Sequence, residues 1–338
     1  MYPYKISVMV PIYKVELFLE RCVRSLFEQT LDDVQYIFVD DCSPDQSMDI
    51  LISILKEYPQ RAPHTTILHH KQNRGLSAAR GTAMKVARGE YLYHCDSDDW
   101  AESTMLEKMY NRITEENADI LIAGVIFENI KGACTKIIQK APVFCTPHQV
   151  LSLVLKRKLV SFQPNKLIRH SLYTSNNIDF PDSIDYGEDG YAISRLLFYA
   201  QKVVFIPEAF YHYCYNPASI TSHRFQRKHF DARFWWIRQL EILFYGNSAL
   251  IDALTCMKLF VKQDAYRSGL YSQAEFDAIY PEAVMYINKV PLHVYDRFLL
   301  CMACNGKAER ARYISESWYF QTAIRLLRSV KYFLLKFE

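Results

Sequence analysis

Apolar residues follow two rhythms over the first hundred positions. Residues 5–11 (KISVMVP) form a β-branched run ending in Pro11, the pattern of a buried strand stopped by its own proline. Residues 15–29 then place Leu19, Cys22, Val23, Leu26 and Phe27 at helical spacing. Glu16, Glu20, Arg21, Arg24 and Glu28 fall largely on the opposite face. A second strand is expected at 35–40 (QYIFVD), followed by a helix capped by Ser47 and ending near Tyr58. A third strand is expected at 65–70, and a third helix at 76–87 with Gly89 beyond its end. Residues 91–95 (YLYHC) close the series as a short buried strand.

Strand and helix in alternation imply a parallel sheet covered by helices. In such sheets the loops at the carboxyl ends of the strands line one crevice, where ligands bind. Pro11 to Tyr13, Asp40 with Asp41, and Asp96 to Asp99 all follow strands, so they should converge on one edge. The helix start after Asn73-Arg74-Gly75 should lie beside them. Its backbone donors, with Arg74 and Arg80, would suit a phosphate.

Past Trp100 the rhythm changes. A helix is expected at 103–116, a buried strand at 119–127, a hairpin arm at 136–139 and a helix at 147–155. Residues 185–197 become helical after Gly187, with Glu188 and Asp189 in the first turn, where the helix dipole favours carboxylates. Residues 203–206 and 210–213 read as two closing strands. From about residue 224 the pattern is helical and aromatic, which divides the chain into 1–222 and a helical region 223–338. The stretch 318–338 carries a broad apolar face that suits a membrane surface, a contact between copies, or a last core helix; all three stay open.

The 338 residues carry a formal net charge of only +3, which argues against a dedicated nucleic-acid protein. No apolar run reaches the ~18 residues that cross a bilayer, and the start lacks a signal-peptide layout. Nine scattered cysteines, with only Cys301 and Cys304 at CxxC spacing, read as reduced cytosolic thiols. His212 reads as a strand histidine among aromatics, with a metal-ligand role as the alternative.

The chemistry concentrates in Asp96, Ser97, Asp98 and Asp99. Three carboxylates in four residues repel one another unless a cation joins them or they point into water. They suit Mg²⁺ or Mn²⁺; they also suit a solvated turn that caps the next helix. Carboxylates for a metal and arginines for phosphate in one crevice are what a nucleoside diphosphate requires.

Several motifs in order resemble the family 2 glycosyltransferases of the GT-A fold. They are Val10-Pro11-Ile12-Tyr13, Val39-Asp40-Asp41-Cys42-Ser43 with Asp45 and Ser47, and Asn73 through Arg80. Gly89-Glu90-Tyr91 leading to Asp96-Ser97-Asp98-Asp99, then Asn165-Lys166-Leu167 and Gly187-Glu188-Asp189, complete the set. The resemblance covers about two-thirds of the chain. Lys14 and Gly81 stand where the family often has Asn.

The resemblance implies an α/β fold of GT-A type, a Rossmann-like, mostly parallel sheet flanked by helices, with an α-helical C-terminal extension. It implies an inverting, metal-dependent transfer from a nucleoside-diphosphate sugar, UDP-linked by expectation, to a hydroxyl of a glycan or lipid-linked acceptor in surface polysaccharide synthesis. Pro11 and Tyr13 would form the nucleotide pocket. Asp41, with Asp40, would read the base, and Arg80 would lie near the phosphates. Asp96 would approach the ribose or sugar, Asp98 would hold Mn²⁺ or Mg²⁺, and Asp189 would be the catalytic base. The expected setting is cytoplasmic, with peripheral contact on the inner membrane face through the last helix, and homo-oligomer formation stays open.

Two enzyme alternatives fit less well. A sugar-nucleotide-forming nucleotidyltransferase needs a glycine-rich loop after the first strand, and Pro11-Ile12-Tyr13-Lys14 has no glycine. A glycoside hydrolase needs no nucleotide crevice. A non-catalytic binding or scaffold subunit with the same fold is the remaining alternative.

Overall fold

A computed structural model describes residues 2–139, 146–182, 186–219, 225–290 and 292–317. The chain divides into two compact units: residues 1–154 with 159–223, and residues 155–158 with 224–338. The expected amphipathic stretch at 318–338 lies outside the described residues, as does Asp185.

The first unit is built on a nine-stranded sheet. Its strands are β1 (Tyr4–Ile12), β2 (Val34–Asp40), β3 (Thr65–His69), β4 (Gly89–His94) and β5 (Trp100–Ala101). They continue with β6 (Ile120–Glu128), β7 (Cys134–Ile137), β8 (Lys166–Arg169) and β9 (Val203–Cys214). The order is β3-β2-β1-β4-β8-β6-β9-β5, with β7 added to β6. Strands β3, β2, β1 and β4 run parallel, as do β6 and β9. Strand β8 joins β4 to β6 antiparallel to both. Helices α1 (Leu19–Phe27), α2 (Ser47–Glu57), α3 (Leu76–Val86) and α4 (Met105–Glu115) connect the early strands. Then come α5 (Pro147–Leu155), α6 (His170–Ser175) and α7 (Glu188–Tyr199).

Four expectations change on contact with neighbours. Pro11 does not stop its strand: it pairs with Val39, and β1 runs on to Ile12. The β4 pairing ends at Met9 and Cys95, so no ladder bond is lost where the proline lacks its N–H. Helix α1 starts at Leu19 because residues 15–18 form a turn, with Phe18 and Leu19 N–H both donating to Val15 O. Ser47 does not cap α2; its hydroxyl accepts from Val15 N at 3.2 Å, and Asp45 accepts from Ser47 N. The two closing strands are one, β9, whose register against β6 shifts around Gly124.

The core lies between the sheet and its helices. Val8, Val10, Tyr36, Phe38, Tyr91 and Tyr93 face Leu19, Val23, Leu26, Phe27 and Met109 in one buried cluster. Burying side chains of this size contributes ~1.5–3 kcal/mol each. Ser7 sits between strands as a polar exception, donating to Gln35 Oε1 at 2.6 Å and accepting from Gly89 N at 2.8 Å.

The second unit is helical: α8 (Arg227–Leu243), α9 (Ser248–Ser268), α10 (Gln273–Ala278), α11 (Val294–Met302) and α12 (Ala308–Glu316). Asn247 caps α9 through Leu250 N, and Ser272 with Glu275 forms a capping box on α10. Phe230, Trp236, Leu240, Leu254, Leu259 and Phe276 are buried there. Lys262 is buried too, with its ammonium donating to Phe276 O and Ile279 O, both at 2.7 Å.

Gly89 marks a close approach rather than only a helix end. A Cβ there would lie 2.3 Å from Ser7 N and 2.6 Å from Ile6 C. Gly89→Ala should therefore push β4 from β1 and lower the unfolding free energy by about 1–3 kcal/mol, measured by urea denaturation. An unchanged midpoint would mean the strands lie further apart than described.

Candidate active site

The carboxyl ends of β1, β2 and β4 meet at one edge, as alternation predicts. Asp41 N donates to Ile12 O at 2.9 Å, and Cys95 N donates to Met9 O at 3.0 Å. The loops after β1 and β2 clasp each other. Lys14 N donates to Ser43 Oγ at 2.8 Å, Glu16 N to Asp45 Oδ2 at 3.0 Å, and Gln46 N to Glu16 Oε2 at 3.0 Å. Lys14 and Cys42 both hold positive φ (54° and 58°), and the clasp stabilises that less favoured backbone. Tyr13 stands partly exposed at this edge, with the Lys14 ammonium 5.1 Å from its ring centroid.

Asp40 and Asp41 are both engaged by the protein. Asp40 accepts from Ser43 N at 2.8 Å and meets His69 Nδ1 at 3.0 Å. Asp41 accepts from Arg74 N and Gly75 N, both at 2.8 Å, and meets His70 Nδ1 at 2.6 Å. Asp41 thus fixes the loop leading into α3. The Arg74 and Gly75 backbone donors, expected to face a phosphate, instead hold this carboxylate. The Arg74 side chain pairs with Asp182.

The three aspartates after β4 divide their work. Asp99 is buried and turned inward, accepting from Tyr211 Oη at 2.6 Å and Cys214 N at 2.7 Å. Burial, then the charges of Asp98 and Asp96, push its carboxyl well above the usual range. Asp98 accepts from Asn216 Nδ2 at 2.9 Å; burial and Asp96 raise its carboxyl, and the Asn216 bond works against that rise. Asp96 is partly exposed and accepts from Arg80 Nη2 at 2.8 Å. A cavity of about 340 Å³ opens beside Asn216, bordered by Lys14, Glu16, Phe18, Pro44 and Asp45.

Arg80, on α3, is only 1% exposed and gathers three carboxylates. It pairs with Asp96 at 2.8 Å, Glu188 at 3.0 Å and Asp189. Burial works against its charge, but Asp189, Asp96 and Glu188 outweigh burial and raise its pKa. Burial lifts the Asp189 carboxyl to about 7, Glu188 and Asp96 add to the rise, and Arg80 and Lys166 oppose it. Asp189 stands at the first turn of α7, after Gly187 at φ 84°, a left-handed position that suits glycine. Gln163 N reaches its other oxygen at 3.4 Å.

Lys166 adds a second buried cation nearby. Its ammonium donates to Phe162 O at 2.6 Å, Asn165 Oδ1 at 2.7 Å and Val160 O at 3.1 Å. Burial brings it down to about 7 against the pull of Asp189.

Residues 7–172 match the family model described as Glycosyl transferase family 2. Residues 7–172 belong to that family. EpsH of Bacillus subtilis (strain 168) is 29% identical over 231 residues, 67% of this chain and 65% of EpsH. The poly(ribitol-phosphate) beta-glucosyltransferase of Bacillus spizizenii is 31% identical over 212 residues, 62% of this chain and 32% of that enzyme. The matched stretch thus spans less than two thirds of either relative. Among solved structures, S. aureus TarS 1-349 in complex with UDP-GlcNAc superposes with a TM-score of 0.67 at 19% identity. That superposition covers 93% of this chain and 91% of TarS 1-349, and shows a shared GT-A fold.

Beyond the matched stretch, Tyr211 and Asn216 escape a reading by motif. They lie more than a hundred residues from the aspartates they hold, and β9 has no polar signature beyond its run of aromatics. The pairing of Arg80 with Asp189 is equally invisible in one dimension.

Removing Arg80 leaves three clustered carboxylates without their cation. Arg80→Met should lower the unfolding free energy by about 3–5 kcal/mol at pH 8. The deficit should narrow as pH falls through 7, because the raised carboxyls then take up protons in the folded state. Urea titrations at pH 8 and pH 6 test this; a deficit that does not depend on pH would contradict the charge assignment.

Proposed function

We propose that this chain transfers a sugar, with inversion, from a nucleoside-diphosphate sugar to a hydroxyl on a glycan or lipid-linked acceptor. The observation that carries the reading is the placement of Asp96, Asp98 and Asp189 around one edge, with Arg80 bridging Asp96 to Asp189. Support for a UDP-linked donor comes from the TarS complex with UDP-GlcNAc. Support for a surface-polymer acceptor comes from the relative named for poly(ribitol-phosphate).

The donor set fits Mn²⁺ or Mg²⁺. Asp98 and Asp96 offer carboxylate oxygens; burial and then the Asp96 charge raise the Asp98 carboxyl, and a divalent cation would offset both. Bound there, the ion would neutralise charge that develops on the departing diphosphate. Asp98 is its proposed protein ligand, and Asp96 is proposed to meet the donor sugar or ribose. Tyr13 and Pro11, with the Asp40–Asp41 corner, are proposed to form the nucleotide pocket. Asp189 accepts the acceptor hydroxyl proton as the oxygen attacks the anomeric carbon from the face opposite the diphosphate. Arg80 acts as a positioning residue: it orients Asp189 and keeps it from rising further. The phosphate contact expected of Arg80 would require it to leave these carboxylates.

The helical region 223–338 is proposed to serve acceptor, membrane-surface or oligomer contacts, in a cytoplasmic setting at the inner membrane face. Binding of the full chain to anionic vesicles, lost on deletion of 318–338, checks the membrane part; no binding by the full chain would dismiss it.

A thermal-shift panel of sugar nucleotides with and without Mn²⁺ tests the donor site. A ligand at 100 times its Kd stabilises the folded state by about 2.7 kcal/mol. The wild type should shift with a UDP-sugar and metal, and Asp98→Asn far less. Asp189→Asn should keep the shift but lose about 10²–10⁴-fold in turnover. With Asp189 titrating at about 7, kcat/KM should climb tenfold per pH unit below 7 and level off above it. No shift with any sugar nucleotide would favour a non-catalytic subunit.

A further inference from the structure

Glu128, Cys134 and His212 come from three different strands, yet one ligand atom from each lies within 4.8 Å of the other two. The register explains the meeting. Glu128 at the end of β6 pairs with Cys134 of β7 on one side and Cys214 of β9 on the other. His212, two residues before Cys214, sits on the same face of the sheet. Its ring stacks on Trp100 at 3.6 Å between centroids, which fixes the ring plane.

The polar contacts are unevenly satisfied. Glu128 Oε1 meets His212 Nδ1 at 2.8 Å and accepts from Trp100 Nε1 at 3.1 Å. Glu128 Oε2 faces Arg21 Nη1 at 3.3 Å, and Cys214 Sγ receives Arg21 Nη2 at 2.7 Å. His212 is 9% exposed, and its Nε2 is buried with no hydrogen-bond partner. The carboxylate of Glu102 lies 3.7 Å from that nitrogen. With Nδ1–H donating to Glu128, the Nε2 lone pair would face this negative charge. A cation on Nδ1 reverses the tautomer, so that Nε2–H points at Glu102. A histidine ligand backed by a carboxylate is the usual outer arrangement of a metal site.

We propose that Glu128 Oε1, Cys134 Sγ and His212 Nδ1 bind Zn²⁺, with a water as fourth ligand. One thiolate, one imidazole and one carboxylate form a borderline-soft set that suits zinc rather than Mg²⁺ or Mn²⁺. Binding releases the Cys134 thiol proton, and the His212 proton transfers from Nδ1 to Nε2, for a net release of one proton. Tetrahedral bonds of ~2.0–2.3 Å set ligand atoms roughly 3.3–3.8 Å apart. The His212–Glu128 pair opens by ~0.5 Å, and the exposed Cys134 side chain closes in. Arg21 stays on Oε2 and Cys214.

This ion would tie the β6–β7 hairpin to β9. Strand β9 and the residues after it hold Asp99 through Tyr211 and Cys214, and Asp98 through Asn216. The zinc would therefore brace the segment that positions the aspartates, without touching them.

Elemental analysis of the full chain purified after zinc-supplemented growth tests the site. Roughly one zinc per chain is expected in the wild type and in Asp98→Asn, and none in Cys134→Ser or His212→Gln. Cobalt(II) alone should give a thiolate charge-transfer band that Cys134→Ser abolishes. Glu102→Gln should weaken zinc binding about 10-fold. No bound zinc in the wild type, or zinc retained in full by Cys134→Ser, would overturn the proposal. Cys134 is exposed and lies in a hairpin, so that variant should fold even if His212→Gln does not. The readout is independent of sugar transfer: loss of turnover in Asp189→Asn leaves it unaffected.

Discussion

The site depends on the buried guanidinium of Arg80. Arg80 holds Asp96 from the loop after β4 and Glu188 and Asp189 from the start of α7, segments about a hundred residues apart. Without it, three carboxylates in a poorly hydrated edge would repel one another and part. With it, burial still raises the Asp189 carboxyl, Glu188 and Asp96 add to the rise, and Arg80 limits it. Asp189 stays near neutrality rather than at the value of a free aspartate, so it can accept a proton at physiological pH. Arginine suits this place because its planar fork offers several donors and keeps its charge when buried.

The rest of the edge is rigid for a different reason. Polar side chains that a one-dimensional reading assigns to ligands are already bonded to backbone. Asp41 anchors the start of α3, Ser43 and Asp45 anchor the loop after β1, and Asp99 anchors β9. Each bond satisfies a backbone donor that would otherwise lie unpaired at a strand or helix end. The nucleotide pocket proposed for these loops would need little rearrangement to form, which lowers the entropic cost of binding. Tyr13, standing partly exposed beside them, is left available for a flat ligand.

Strand β9 connects this edge to another polar cluster, that of Glu128 and His212. Alternate residues along its end serve different tasks: Tyr211 turns inward to Asp99, and His212 turns to Glu128 and Trp100. Period-two alternation lets one strand hold an acidic loop with one face and a histidine–carboxylate pair with the other.

The sequence by itself determined the alternating elements, the parallel half of the sheet and the edge at which β1, β2 and β4 end. Those follow from local periodicity and from the rule that parallel strands end together. The aspartates after β4 and the carboxylate at position 189 were legible for the same reason: acidic residues at strand and helix ends are local features. Their division of labour was decided only by tertiary structure. Asp99 differs from Asp98 because Tyr211 and Cys214 reach one and Asn216 reaches the other. Arg80 serves carboxylates, and Ser47 serves Val15 N, because long-range packing set the partner. Pairings across a hundred residues leave no trace in periodicity, since each residue's own neighbours are the same whichever partner it finds in the fold.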